Sequence, residues 1–253
     1  MIKYSSLTGR LVKYFLWLLL LALSSVQADT VSVHCPLGCP SNSGGNDLVF
    51  NHTYAFSNNP TTKFADWVAY EVNVTNFGTS PARNWAADPL LDESDTLEKN
   101  DYDKAHKVLK VDRGHQAPLA SFAGSKFWYE LNHLSNITPQ RSDLNQGSWK
   151  SLEVAVRNTV AYRESLYVIT GTLYQRDFRA LPRADEEHVV PSGYFKVVYD
   201  FKGNSAAFVM DQETPKGTDF CTKKVGLDDI AEMVTFKFPE LMDSEKIYQR
   251  LGC

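Results

Sequence analysis

Apolar and polar positions divide this chain into a short apolar leader and a long region of mixed patterning. Residues 14–23, from Tyr14 to Leu23, form an uninterrupted apolar run. Beyond it the period changes from segment to segment. Trp67–Val74 is dense in β-branched and aromatic residues and predicts a strand. Val108–Val111 predicts a short strand leading into Asp112, and an extended segment near 131–137 predicts its return. Residues 148–163 place Trp149, Leu152, Val156 and Val160 at helical spacing, which predicts a helix with one buried stripe. Leu166–Thr170, Gly193–Phe201 and Ser205–Met210 read as further strands, and Leu227–Met233 as a short helix. Residues 40–48 and 75–105 are turn-rich and read as loops. No repeat or linker interrupts this order, so one α+β domain with a central sheet and helices on its faces is expected.

The leader changes the picture of location. Lys3, Arg10 and Lys13 come before or at the edge of the apolar run, and Val26 and Ala28 stand at the small-residue spacing of a cleavage site. Together they describe a secretory signal peptide over residues 1–28, leaving one domain over 29–253. The run is shorter than the ~20 residues a bilayer span needs. The expected mature protein is therefore secreted or periplasmic, with no membrane attachment. Removing the three leader cations takes the formal charge from −4 to −7.

The cysteines agree with that compartment. Cys35, Cys39, Cys221 and Cys253 are even in number, as a disulfide framework requires. Cys35 and Cys39 enclose only Pro36, Leu37 and Gly38, which suits a tight covalent loop and leaves Cys221 to pair with Cys253. A zinc site is the rival reading, and no histidine stands at ligand spacing from Cys221 or Cys253. At 43% hydrophobic and 22% charged, the composition is that of a globular protein and excludes a disordered tail or coiled coil.

Candidate chemistry gathers in the middle of the chain. Asp112-Arg113-Gly114-His115 follows the short strand; the glycine allows a sharp turn that presents the ring, and the acid can orient it. Asn136 and Asn145 follow, and Glu153 and Arg157 stand four apart on one helix face. Each has a plainer reading alone. His115 could be a structural hydrogen-bonder, Asn145 a helix N-cap, and Glu153 with Arg157 a surface ion pair.

As a set, these residues resemble the DNA/RNA non-specific endonucleases of the ββα-metal type. The likeness is carried by residues 112–121, 134–140 and 142–147, and by Trp149 with Leu152-Glu153. It continues in Thr62–Ala65, Trp67–Tyr70, Arg83-Asn84-Trp85, Asp211-Gln212, Thr214–Gly217 and Asp219–Cys221, and fades after about Val225. It implies an α+β fold: a single domain with a central antiparallel sheet flanked by helices and a ββα-metal catalytic motif. It implies cleavage of DNA and RNA with little sequence preference, leaving 5′-phosphates.

The resemblance also implies roles. His115 would be the general base that activates water. Asn145 would be the direct protein ligand of Mg2+, for which Mn2+ can substitute, and Glu153 would hold metal-bound waters. Arg83 would neutralise charge on the pentacoordinate phosphate, and Asn136 would serve the catalytic set. Arg113, Arg157 and Asp112 would bind substrate or support the motif. A homodimer is implied as well. The net negative charge does not exclude a nucleic-acid partner, because phosphate responds to the local field of the cleft. The alternatives are a catalytically silent nucleic-acid-binding protein on the same fold, or a hydrolase of other phosphodiesters.

Overall fold

The computed structural model describes residues 30–42 and 44–253; the expected signal peptide, 1–28, lies outside the described residues. Ten strands are described: β1 Asp47–Phe50, β2 Ala55–Asn59, β3 Phe64–Val72, β4 Val111–His115, β5 Ile137–Arg141, β6 Leu166–Leu173, β7 Gly193–Tyr199, β8 Asn204–Asp211, β9 Lys224–Val225 and β10 Met242–Asp243. Helices are α1 Ala105–Leu109, α2 Ser142–Leu144, α3 Lys150–Thr159, α4 Leu227–Ala231 and α5 Glu245–Arg250. The main sheet runs β1-β2-β3-β6-β7-β8-β10, with β9 also on β8. Its pairs are antiparallel except β10 on β8. Strands β4 and β5 form a separate antiparallel pair. Among the described residues no helix is long and apolar enough to cross a membrane.

The central strands explain this arrangement. β6 and β7 are buried along their whole length, so both sheet faces must be covered. On one face Val68, Tyr70, Val168, Tyr194 and Val198 pack against Trp149, Leu152 and Val156 of the helical segment, and Ile247 and Tyr248 of α5. On the other, Trp67, Ile169, Phe195 and Val197 pack against Ile230 and Phe236. The stripe read at helical spacing thus seats α3 on the sheet. Disulfides join Cys35 to Cys39 and Cys221 to Cys253, the pairing expected. The second closes a loop between residues 32 apart, which ties the C-terminus down by restricting the unfolded chain.

Several boundaries differ from the sequence reading. Residues 105–109 are helical, because Ala105 and Leu109, four apart, are both buried beneath the motif. Lys110 then turns left-handed at φ 58, and the strand begins at Val111, so the Asp-Arg-Gly-His motif is itself β4. Gly114 therefore sits in a strand rather than a turn, where a Cβ would come within 2.6 Å of Gln140 Oε1. The return strand starts only at Ile137; residues 131–136 are mostly tight 3-10 turns. The helical run starts earlier than expected, at Ser142, and ends at Thr159 rather than 163. The Trp67–Val74 strand is Phe64–Val72.

Between α2 and α3 the backbone makes a wide π turn over Asn145–Trp149. It is possible because Gly147 carries no side chain: a Cβ there would lie 2.4 Å from the Lys216 carbonyl oxygen. Gly147→Ala must push that backbone away, and a cost of about 1–3 kcal/mol is expected from such overpacking. Urea unfolding of the variant against the wild type checks this, and an unchanged midpoint would contradict it.

Candidate active site

β4, β5 and the helical segment 142–159 converge on a cleft of about 1100 Å³. Arg83, Asp112, Arg113, His115, Asn145, Glu153 and Arg157 all line it. Among the site residues read from the sequence, only Asn136 does not. Its side chain is fully buried, with Oδ1 accepting from Ala117 N (2.8 Å) and Nδ2 donating to Ala117 O (3.0 Å) and Leu131 O (2.9 Å). The amide is wholly committed to backbone and holds the loop after His115 against the 131–136 turns.

His115 ends β4, half-buried at the cleft wall. Its ring centroid lies 5.4 Å from that of Trp85, and its Nε2 faces Asn132 Oδ1 at 3.4 Å. With that oxygen accepting, Nε2 carries the proton and Nδ1 keeps a free lone pair. Burial and then the charge of Arg83 push the imidazole pKa down to about 4, while Asn132 pulls it up. The ring is therefore neutral near pH 7, the state a proton acceptor needs.

Asp112, also on β4, points into the helical turn. Its Oδ2 accepts from Asn145 Nδ2 (2.9 Å) and Gln146 Nε2 (2.9 Å). Its Oδ1 accepts from Ser142 Oγ (2.8 Å) and faces His106 Nδ1 at 3.1 Å. Burial raises this carboxyl, but the hydrogen bonds outweigh it and hold the pKa below the ordinary carboxylate value. Both carboxylate oxygens are thus engaged by protein. With Nδ2 of Asn145 fixed on Asp112, its amide oxygen is the hard donor left to the cleft, and one such oxygen beside several waters is a set that magnesium accepts. Asn145 is no N-cap: its backbone is helical, at φ −57 and ψ −45, and Arg141 caps the run.

Glu153 lies two turns further along, half-buried. Burial raises its pKa, while the charges of Lys196 and Arg157 and the Trp149 indole lower it. Among the described residues no ion pair joins Glu153 to Arg157, so the surface-pair reading does not hold. Arg157 instead lines the cleft, with Nη1 buried and without a hydrogen-bond partner among the described residues. Arg113 lies 5.2 Å from the Tyr102 ring centroid and 5.8 Å from that of Trp85, and donates to Lys99 O at 2.9 Å. Arg83 is exposed at the cleft mouth.

The structure adds residues that the sequence reading missed. Lys150 and Lys216 line the cleft, so five cations there face two carboxylates, Asp112 and Glu153. The local field is positive on a chain whose net charge is negative. Lys196 lies fully buried beneath the helix; a lysine at an inward-facing position of a predicted strand was the available signal. Asn132 had no signal beyond its place before His133. Four carboxylates, Glu98, Asp101, Asp185 and Glu186, cluster elsewhere, and none lines the cleft.

Comparison with known proteins agrees with this geometry. A family model described as DNA/RNA non-specific endonuclease matches residues 32–244. That match runs past Val225, where the likeness was expected to fade. A nuclease of Serratia marcescens is 48% identical over 221 residues, covering 83% of this chain and 82% of its own length. The mitochondrial endonuclease G of Homo sapiens is 27% identical over 173 residues, covering 60% of this chain and 54% of its own length. A crystal structure of an EndoG/EndoGI complex shares the fold, with a TM-score of 0.67 over 82% of this chain and 90% of that one at 19% identity.

The shifted histidine has a measurable consequence. In the substrate-free, metal-free protein His115 should titrate near pH 4 rather than at the ordinary 6.5. Unfolded chain binds this proton more tightly, so the associated stability is lost as pH falls from 6.5 through about 4. Arg83→Ala removes one lowering cause and leaves burial, so the midpoint should rise but stay below 6.5. NMR titration of the imidazole decides it; a wild-type midpoint at or above 6.5 would refute the assignment.

Proposed function

From the premise that this chain belongs to the DNA/RNA non-specific endonuclease family, we propose that it is an exported, Mg2+-dependent nuclease that hydrolyses internal phosphodiester bonds of DNA and RNA. The observation that carries this reading is one cleft holding a neutral histidine, an amide oxygen whose NH2 is held by the half-buried Asp112 carboxylate, and an excess of cations. Export is supported by the apolar leader and the two disulfides.

The residues divide the work by position. His115 accepts a proton from water at Nδ1, making the attacking oxygen, and its low affinity for protons keeps it ready at neutral pH. Arg83, beside His115, balances charge that develops on the phosphate, for which a fixed fork of donors is suited. Arg113 and Arg157 orient flanking phosphate oxygens. Mg2+, or Mn2+ in its place, would be held by the Asn145 oxygen and through water by Glu153, and when bound supplies charge that polarises the phosphate and stabilises the leaving oxygen. Loss of the 3′ oxygen leaves a 5′-phosphate. The charged groups lining the cleft suit phosphate rather than base edges or the 2′-hydroxyl, which accounts for tolerance of both sugars. A homodimer is part of the same reading, and sedimentation of the mature protein at micromolar concentration checks it.

The test is digestion of supercoiled plasmid and total RNA by the mature protein in Mg2+ and in EDTA. Both polymers should be cut in Mg2+ only. His115→Ala should slow cutting about 10²–10⁴-fold, and Asn145→Ala should shift the Mg2+ requirement upward. Wild-type protein that retains both polymers on a filter yet cuts neither in any divalent metal would establish a silent binding protein instead.

A further inference from the structure

Lys196 is a charge where the fold calls for an apolar residue. On β7 its neighbours on the same face are Tyr194 and Val198, both in the core under α3. It is fully buried, yet no ion pair neutralises it among the described residues. An ammonium has three donors, and among the described residues Nζ has one protein acceptor, Tyr70 Oη at 3.2 Å. Such burial is costly, so a lysine here in place of a Met or Leu points to something its charge does that neither could.

Its surroundings show what that is. Nζ stands 4.3 Å from the centroid of the Trp149 ring. Trp149 is the last residue of the turn that begins at Asn145. The acid that acts on Lys196 is Glu153, one helical turn further on, and Arg157 opposes it. Lys196 therefore touches the catalytic helix between its two metal-side groups, from the side opposite the cleft. We propose that Lys196 is a positioning residue for the nuclease reaction: from beneath α3 it fixes Trp149, and through it the Asn145 turn on the metal side of the cleft. This rests on the assignment of Asn145 and Glu153 as the metal-side groups.

The experiment compares Lys196→Met, which keeps length and bulk over Trp149 without charge, with Lys196→Arg, which keeps the charge. Three quantities are read: the urea midpoint, Mn2+ affinity by electron paramagnetic resonance without nucleic acid, and kcat and KM on plasmid DNA. The Met variant should unfold at or above the wild-type midpoint, bind Mn2+ roughly 10–100-fold more weakly, and lose kcat with KM changed less than about threefold. The Arg variant should recover part of both. Wild-type Mn2+ affinity in a folded Met variant would overturn the proposal, as would loss of activity in step with stability alone. If the Met variant does not fold, Tyr70→Phe removes the ammonium's acceptor and should weaken Mn2+ binding severalfold; unchanged binding overturns the proposal there too. Asn145→Ala and Glu153→Gln are the controls: if neither alters Mn2+ binding, it is the underlying site assignment that fails.

Discussion

One carboxylate joins the two halves of this site. Asp112 belongs to β4, which also carries His115, and its oxygens are taken up by Ser142, Asn145, Gln146 and His106. Strand and helical turn come from segments about thirty residues apart, and the β4–β5 pair lies outside the main sheet. The relative position of the His115 ring and the Asn145 amide oxygen therefore depends on this contact and on the packing below it. Its hydrogen bonds hold the carboxyl below the usual range, so at neutral pH it is purely an acceptor. A protonated acid would have to donate one bond and lose the matching orientation of Asn145.

The same logic governs charge. Net charge alone makes a chain at −4 a poor partner for a polyanion. Binding depends on the field where the phosphate sits, and the cleft wall carries five cations against two acids. That field also acts inward: Arg83 helps keep His115 unprotonated, so one side chain suits both an anionic substrate and a neutral base.

Much of this was legible in the sequence, for physical reasons. The stripe of Trp149, Leu152, Val156 and Val160 predicted which helix face is buried, because helical period and burial are coupled. Four strands of the main sheet, β3, β6, β7 and β8, were visible as apolar, β-branched or aromatic runs, since they are buried over most of both faces. What failed was local. Residues 108–110 look like strand by composition, but Ala105 and Leu109 need one helical turn to reach the same small core. The π turn at 145–149 leaves no periodic signature; it depends on the Lys216 backbone, which comes from a distant part of the chain.

Residues that break the simple pattern are concentrated around the cleft. Asn136, Asn132 and Lys196 are fully buried polar groups, and each sits directly behind a residue that faces the cleft or behind the loop that shapes it. An apolar core would pack these positions at lower cost but would let the loop after His115 and the turn at Asn145 settle in several arrangements. Directional bonds remove that freedom: Asn136 alone fixes three backbone groups on two segments. A phosphodiester offers an enzyme little shape to grip, so rate enhancement must come from groups held in place before substrate arrives. The buried polar residues are where this fold accepts a desolvation cost, and the rigidity they confer falls on the elements that carry His115, Asn145 and Glu153.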